Sequence, residues 1–197
     1  MTMFLGYDWP RFHAAVNDLP PALLPLSVLF DLLGIVFKRE SLKAAAFWTL
    51  VFGVLGTGAA IIAGLMAEDV VQHSEQAHVI MDTHKTLAFI VLAIFGLLAI
   101  WRIVRRGVWN EKEQPIALTA GVIGIAILLY TASLGGKLVF DHGLGIPTAR
   151  LGAIATERAS HHHDEDEAAP AATMPMPAAP DTAKAGAAAA GADTAKH

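Results

Sequence analysis

Four apolar runs of about 17 to 25 residues constrain this chain more than any other feature, because roughly 20 helical residues cross the hydrocarbon core of a bilayer. They place spans at about residues 21–37, 44–66, 86–104 and 116–140. Of 197 residues 54% are hydrophobic and only 16% charged, and the mean hydropathy is +0.49, which excludes an ordinary water-soluble globule. The fold class that follows is an all-α membrane protein, with four transmembrane helices in an antiparallel bundle over residues 1–158. The segment Ser160 to His197 contains no aromatic residue, Leu, Ile or Val. Without such side chains it cannot build a core, so residues 159–197 are expected to be a disordered tail rich in Ala, Pro and His.

Proline and glycine punctuate the spans. Pro20 and Pro21 suit a first helical turn, where a missing N–H has no partner in any case, and Pro115 plays the same part for the fourth span. Pro25 is expected to kink the first span, and Gly143 to stop the fourth. The N-terminal segment has no basic stretch followed by a short apolar one, so it is expected to be retained. Lys38, Arg39 and Lys43 lie in the first connection and Arg102, Arg105, Arg106 and Lys112 in the third, whereas the longer second connection holds only Lys85. The positive-inside rule then puts the first and third connections in the cytoplasm and both termini on the outer side.

Several classes of function drop out. A net charge of −4 without a basic face leaves no nucleic-acid partner. The absence of Cys excludes disulfides, thiolate metal sites and a Cys nucleophile. No Ser-His-Asp, Glu-x-x-His or phosphate-loop pattern is present, so no catalytic residue is assigned and an enzyme is not the expectation.

The nine histidines carry the positive signal. In this topology His13, His73, His78, His84, His142 and the tail histidines all fall on the outer side, and the cytoplasmic connections have none. Imidazole is the commonest neutral ligand for metals and haem, and helical bundles build such sites from facing helices. His84 and His142 each adjoin an apolar span and a carboxylate, Asp82 or Asp141, of the kind that orients a ligating ring. They are expected to face each other across one iron, with His13 as a third ligand or orienting group. His73 and His78 read as solvated loop residues. The tail's His161, His162 and His163, followed by four acidic residues and later Met174 and Met176, have the composition of a weak copper or divalent-metal site.

Asp31 inside the first span is costly in lipid and is expected to face the bundle interior, bonded to Thr49, Thr57 or a backbone carbonyl. Arg102 and Lys137, near span ends, are expected to snorkel. Gly56, Ala60 and Gly64, and likewise Ala132 and Gly136, form small-residue faces suited to close helix packing or to a homodimer seam. Trp48, Trp101 and Trp109 fit interfacial anchors.

The chain resembles the bacterial predicted inner-membrane proteins of domain-of-unknown-function family 2231. The resemblance rests on FHAAVNDLPPALLPLSVLFDLLG, on AAFWTLVFGVLGTGAAIIAG, on THK and on GGKLVFDHGLG, and covers about residues 11 to 146. It implies about four spans, and by position the family's histidines fall on His13, His84 and His142. The departure is at Asn17-Asp18, where the family often has a further His.

These readings converge on a small multi-pass protein of a bacterial inner membrane, with periplasmic termini, binding a b-type haem or a transition metal such as copper at its outer end. Its role would be electron transfer or metal handling, with a redox partner or membrane complex beside the lipid bilayer. The alternative is a structural or assembly subunit with no cofactor, whose histidines cap helices.

Overall fold

The structure, a computed structural model, describes residues 8–167 and side chains as far as Ser160. Among the described residues there are six helices: α1 (Trp9–Val16), α2 (Leu19–Val36), α3 (Glu40–Glu68), α4 (Glu75–Val104), α5 (Glu113–Phe140) and α6 (Thr148–Glu167). Residues up to Ile154 form one compact unit, and from Ala155 the described chain is the remainder of α6. The expected tail therefore begins within α6. Residues 168–197 and the side chains of 161–167, which include His161, His162 and His163, lie outside the described residues.

Four helices are long and apolar enough to cross a membrane: α1 with α2 as one unit (Trp9–Val36), α3, α4 and α5. The first is interrupted at Asn17 and Asp18, because Pro20 and Pro21 remove two N–H donors just where a continuous helix would need them. The helices pack as a closed ring, α2 against α3, α3 against α4, α4 against α5 and α5 against α2. Their outward faces keep large apolar side chains such as Leu55, Ile62, Leu97 and Phe140 exposed, the pattern of surfaces that meet lipid.

The largest departure from the expected spans is α4. It starts at Glu75 rather than near residue 86, so that most of the expected long connection is helix. Ser74 caps its first turn by accepting from the Ala77 N–H, and Ala77 and Met81, one turn apart, pack against Leu138. The polar residues among them depress the hydropathy of this stretch without preventing helix formation.

The two hairpins, α1–α2–α3 and α4–α5, repeat at a fixed offset. All seven buried residues of α5 (Ala117, Gly121, Gly124, Leu128, Thr131, Leu134 and Leu138) stand 71 positions after a buried residue of α3. Pro20, Leu24 and Ser27 of α2 correspond in the same way to the buried Val91, Phe95 and Leu98 of α4. Equivalent packing follows. A side chain at Gly53 would strike Leu24, and one at Gly124 would strike Phe95, the counterpart of Leu24. Each glycine lets one helix of its hairpin approach the other closely.

Asp31 and Arg102 correspond too, and here the expectation of an acid bonded to Thr49 or Thr57 is corrected. Arg102, only 1% exposed, donates from Nη1 and Nη2 to the two carboxylate oxygens of Asp31, from Nη2 also to the Lys43 carbonyl and from Nε to the Gly107 carbonyl. It does not snorkel, because its Nε, Nη1 and Nη2 groups all donate to acceptors inside the bundle. Thr49 and Thr57 instead donate to carbonyls of their own helix. Trp109, expected at the interface, is buried, donates from its indole N–H to Asp31 and stacks edge-on against Trp101.

Candidate functional site

The site is built from two imidazoles, one per hairpin. Asp8 caps α1 by accepting from the Arg11 N–H, and this short helix carries His13 towards α3. There His13 Nδ1 lies 2.9 Å from the Ala60 carbonyl, 47 residues on. His84 of α4 repeats the arrangement, its Nδ1 2.9 Å from the Thr131 carbonyl, also 47 residues on. A carbonyl only accepts, so in both rings Nδ1 carries the proton, and in the neutral ring Nε2 holds the free lone pair.

The sequence explains why these rings reach a helix backbone. A carbonyl four residues before a glycine has no side chain shielding its second lone pair, and both acceptors meet that condition. A Cβ on Gly64 would lie 3.0 Å from His13 Cε1, and one on Gly135 would lie 3.2 Å from His84 Cε1. Gly64 and Gly135 are themselves counterparts in the repeat. Each ring thus rests on a glycine and is oriented by a main-chain oxygen, the support usual for a ligating histidine.

His13 and His84 line one cavity of about 50 Å³ between the hairpins. Its other walls include Asn17, Thr57, Ala88, Leu128 and Thr131, and six pairs of lining residues correspond at the 71-residue offset: 13 with 84, 17 with 88, 20 with 91, 57 with 128, 60 with 131 and 61 with 132. The cavity therefore sits where the repeated hairpins face each other. Thr57 and Thr131 donate to Gly53 and Ile127 of their own helices, and the Asn17 side chain has no hydrogen-bond partner among the described residues.

The structure joins His84 to His13, not to His142. His142 follows the end of α5 at Phe140, nine residues beyond Thr131, or roughly 14 Å further along the helix. His84 lies nine residues inside α4 rather than at the end of a span, where the expected match in depth with His142 placed it. The expected carboxylate partners also differ. Asp82 pairs with Lys85 and His78, and it is the Thr131 carbonyl that orients His84. His73 and His78 hydrogen-bond each other at 3.1 Å near the exposed start of α4, outside the cavity. Among the described residues no three His, Cys, Asp or Glu groups converge as a metal cluster.

Sequence reading found both rings but missed their pairing, and it missed Asn17, Gly64 and Gly135 as parts of the site. The available signal was the spacing itself, since His13 and Gly64 are separated by the same interval as His84 and Gly135.

The family described as predicted membrane protein (DUF2231) matches residues 11–148. The chain belongs to that family. The matched stretch of this DUF2231 protein takes in both hairpins, His13, His84 and His142, and ends before the tail histidines. No curated protein matches the chain, and no solved structure does.

Proposed function

We propose that this DUF2231 protein binds a transition metal or a b-type haem through His13 and His84 near the outer end of its bundle, and serves electron transfer or metal handling in a bacterial inner membrane. The observation that carries this reading is the repeated imidazole. Two rings from two hairpins line one cavity, each with Nδ1 committed to a carbonyl and Nε2 left to a ligand. His142 does not line the cavity and is not assigned to this site, and His161, His162 and His163 act as a separate, weak ion-binding segment.

Optical and elemental analysis of protein purified in mild detergent tests the reading. A Soret band after expression with ample haem, or one equivalent of a transition metal per chain, is expected, and His13→Ala or His84→Ala should remove it while His73→Ala does not. Neither signal in well-folded protein would reject it.

The same hydrogen bonds favour a second reading. Each ties the first helix of a hairpin to the last, so the histidines would serve as struts in a structural or assembly subunit. On that account the variants lose thermal stability and partner assembly, with no cofactor signal in the wild type.

A further inference from the structure

The walls of the cavity are matched in pairs, and the exceptions point to what it holds. At the histidine pair the chemistry is identical. At the pair 17 and 88 it is not, since the second hairpin has an alanine, Ala88, where the first has Asn17. Asn17 closes α1, where its backbone N–H donates to the His13 carbonyl, so it is fixed one turn from the first imidazole. Its amide is half-buried and has no partner among the described residues. A half-buried amide at a cavity wall ordinarily finds a hydrogen bond. Asn17 lines the cavity, so its amide is available to a ligand held there.

Size narrows the occupant. A water needs about 10–15 Å³ on this measure, so 50 Å³ admits an ion with a few waters, whereas a porphyrin is many times larger. Donor chemistry narrows it further. Two neutral imidazoles and an amide oxygen suit borderline divalent ions such as zinc, nickel or copper(II), not a soft ion that selects sulfur. Among the described residues no third His, Cys, Asp or Glu converges on the rings, and the polar side chain on the cavity wall that is not already hydrogen-bonded is Asn17.

We propose that the cavity binds one divalent transition-metal ion through Nε2 of His13, Nε2 of His84 and the side-chain oxygen of Asn17, with water completing the shell. This rests on the reading that His13 and His84 are ligands, and it selects a metal ion over haem. The repeat thus supplies two ligands by correspondence and the third by a departure from it; at the other two polar departures, Thr57 with Leu128 and Ala60 with Thr131, the threonine hydroxyl is already committed to a carbonyl of its own helix.

Cobalt(II) is a suitable probe, because its visible d–d bands report both binding and ligand field. Full-length protein in detergent, carrying His161→Ala, His162→Ala and His163→Ala so that tail imidazoles do not contribute, is titrated with Co²⁺ against a chromophoric chelator. One ion per chain is expected. Asn17→Ala should weaken the apparent Kd by at least about tenfold with an altered d–d spectrum, and Asn17→Asp should tighten it through the added charge. His84→Ala should abolish uptake. One equivalent bound by the parent with affinity and spectrum unchanged in Asn17→Ala would overturn the role of Asn17 alone and leave the imidazole site standing. No uptake by folded parent protein would overturn both, and a Soret band from haem held by His13 and His84 would overturn the metal-ion assignment.

Discussion

Asp31 and Arg102 stand at corresponding positions of the two hairpins, 71 residues apart, and carry opposite charges that close on each other with an Nη2 to Oδ1 distance of 2.7 Å. One substitution type on either side of a repeat has thus become its cross-link. The guanidinium also lies 5.4 Å from the Trp109 ring centroid, so the pair is sealed by aromatic surface as well as hydrogen bonds.

Removing one partner leaves a buried charge without compensation. Asp31→Asn or Arg102→Met should each cost about 3–5 kcal/mol of stability, and the double change Asp31→Leu with Arg102→Met should recover most of it. Thermal denaturation in detergent checks this, and equal losses in the single and double variants would contradict it.

Two glycines, one in the last helix of each hairpin, provide a contrast. A methyl at Gly64 meets the His13 ring, whereas nothing lies within 4 Å of a Cβ at Gly136. Gly64→Ala should displace the imidazole from the Ala60 carbonyl, lose about 1 kcal/mol and weaken any ligand at the site. Gly136→Ala should gain up to about 1 kcal/mol from helix propensity and leave the site intact. Melting curves and ligand titrations on both variants separate the two effects.

Because the chain has no cysteine, single thiols report the orientation cleanly. Gln72 and Glu111 are exposed at opposite ends of the bundle. With the basic connections in the cytoplasm, a membrane-impermeant maleimide should label Gln72→Cys in intact cells and Glu111→Cys only after lysis. The reverse pattern would move His13 and His84 towards the cytoplasmic face.

The tail gives a fourth expectation. Its composition offers nothing to pack, so truncation after Ser160 should leave the melting temperature unchanged within error while reducing weak copper or zinc uptake. A large fall in melting temperature would show that these residues dock on the bundle.

The spans were legible because lipid-facing helices are apolar along their whole length, and α3 and α5 agree with the expected runs within a few residues. What hydropathy cannot register is a helix that continues into polar surroundings, and so the first eleven residues of α4, Glu75 to Lys85, escaped it. The same error moved His84 to a helix end and paired it with His142. Arg102 was misread for a related reason. Near the end of a span a lone arginine and one facing an acid on another helix look alike in sequence, and only the repeat offset distinguishes them. The repeat itself is masked because corresponding positions share size and burial more than identity, as at Leu24 with Phe95 or Ala60 with Thr131.

The junction between the hairpins is six residues, Asp69 to Ser74. A linker that short holds the two halves at an effective concentration in the millimolar range, far above that of two separate chains in a membrane. The surfaces at which α3 meets α4 and α2 meets α5 therefore need not be strong enough to assemble free halves. Cutting the chain between Glu68 and Glu75 would expose that difference, since the severed hairpins would have to find each other by lateral diffusion.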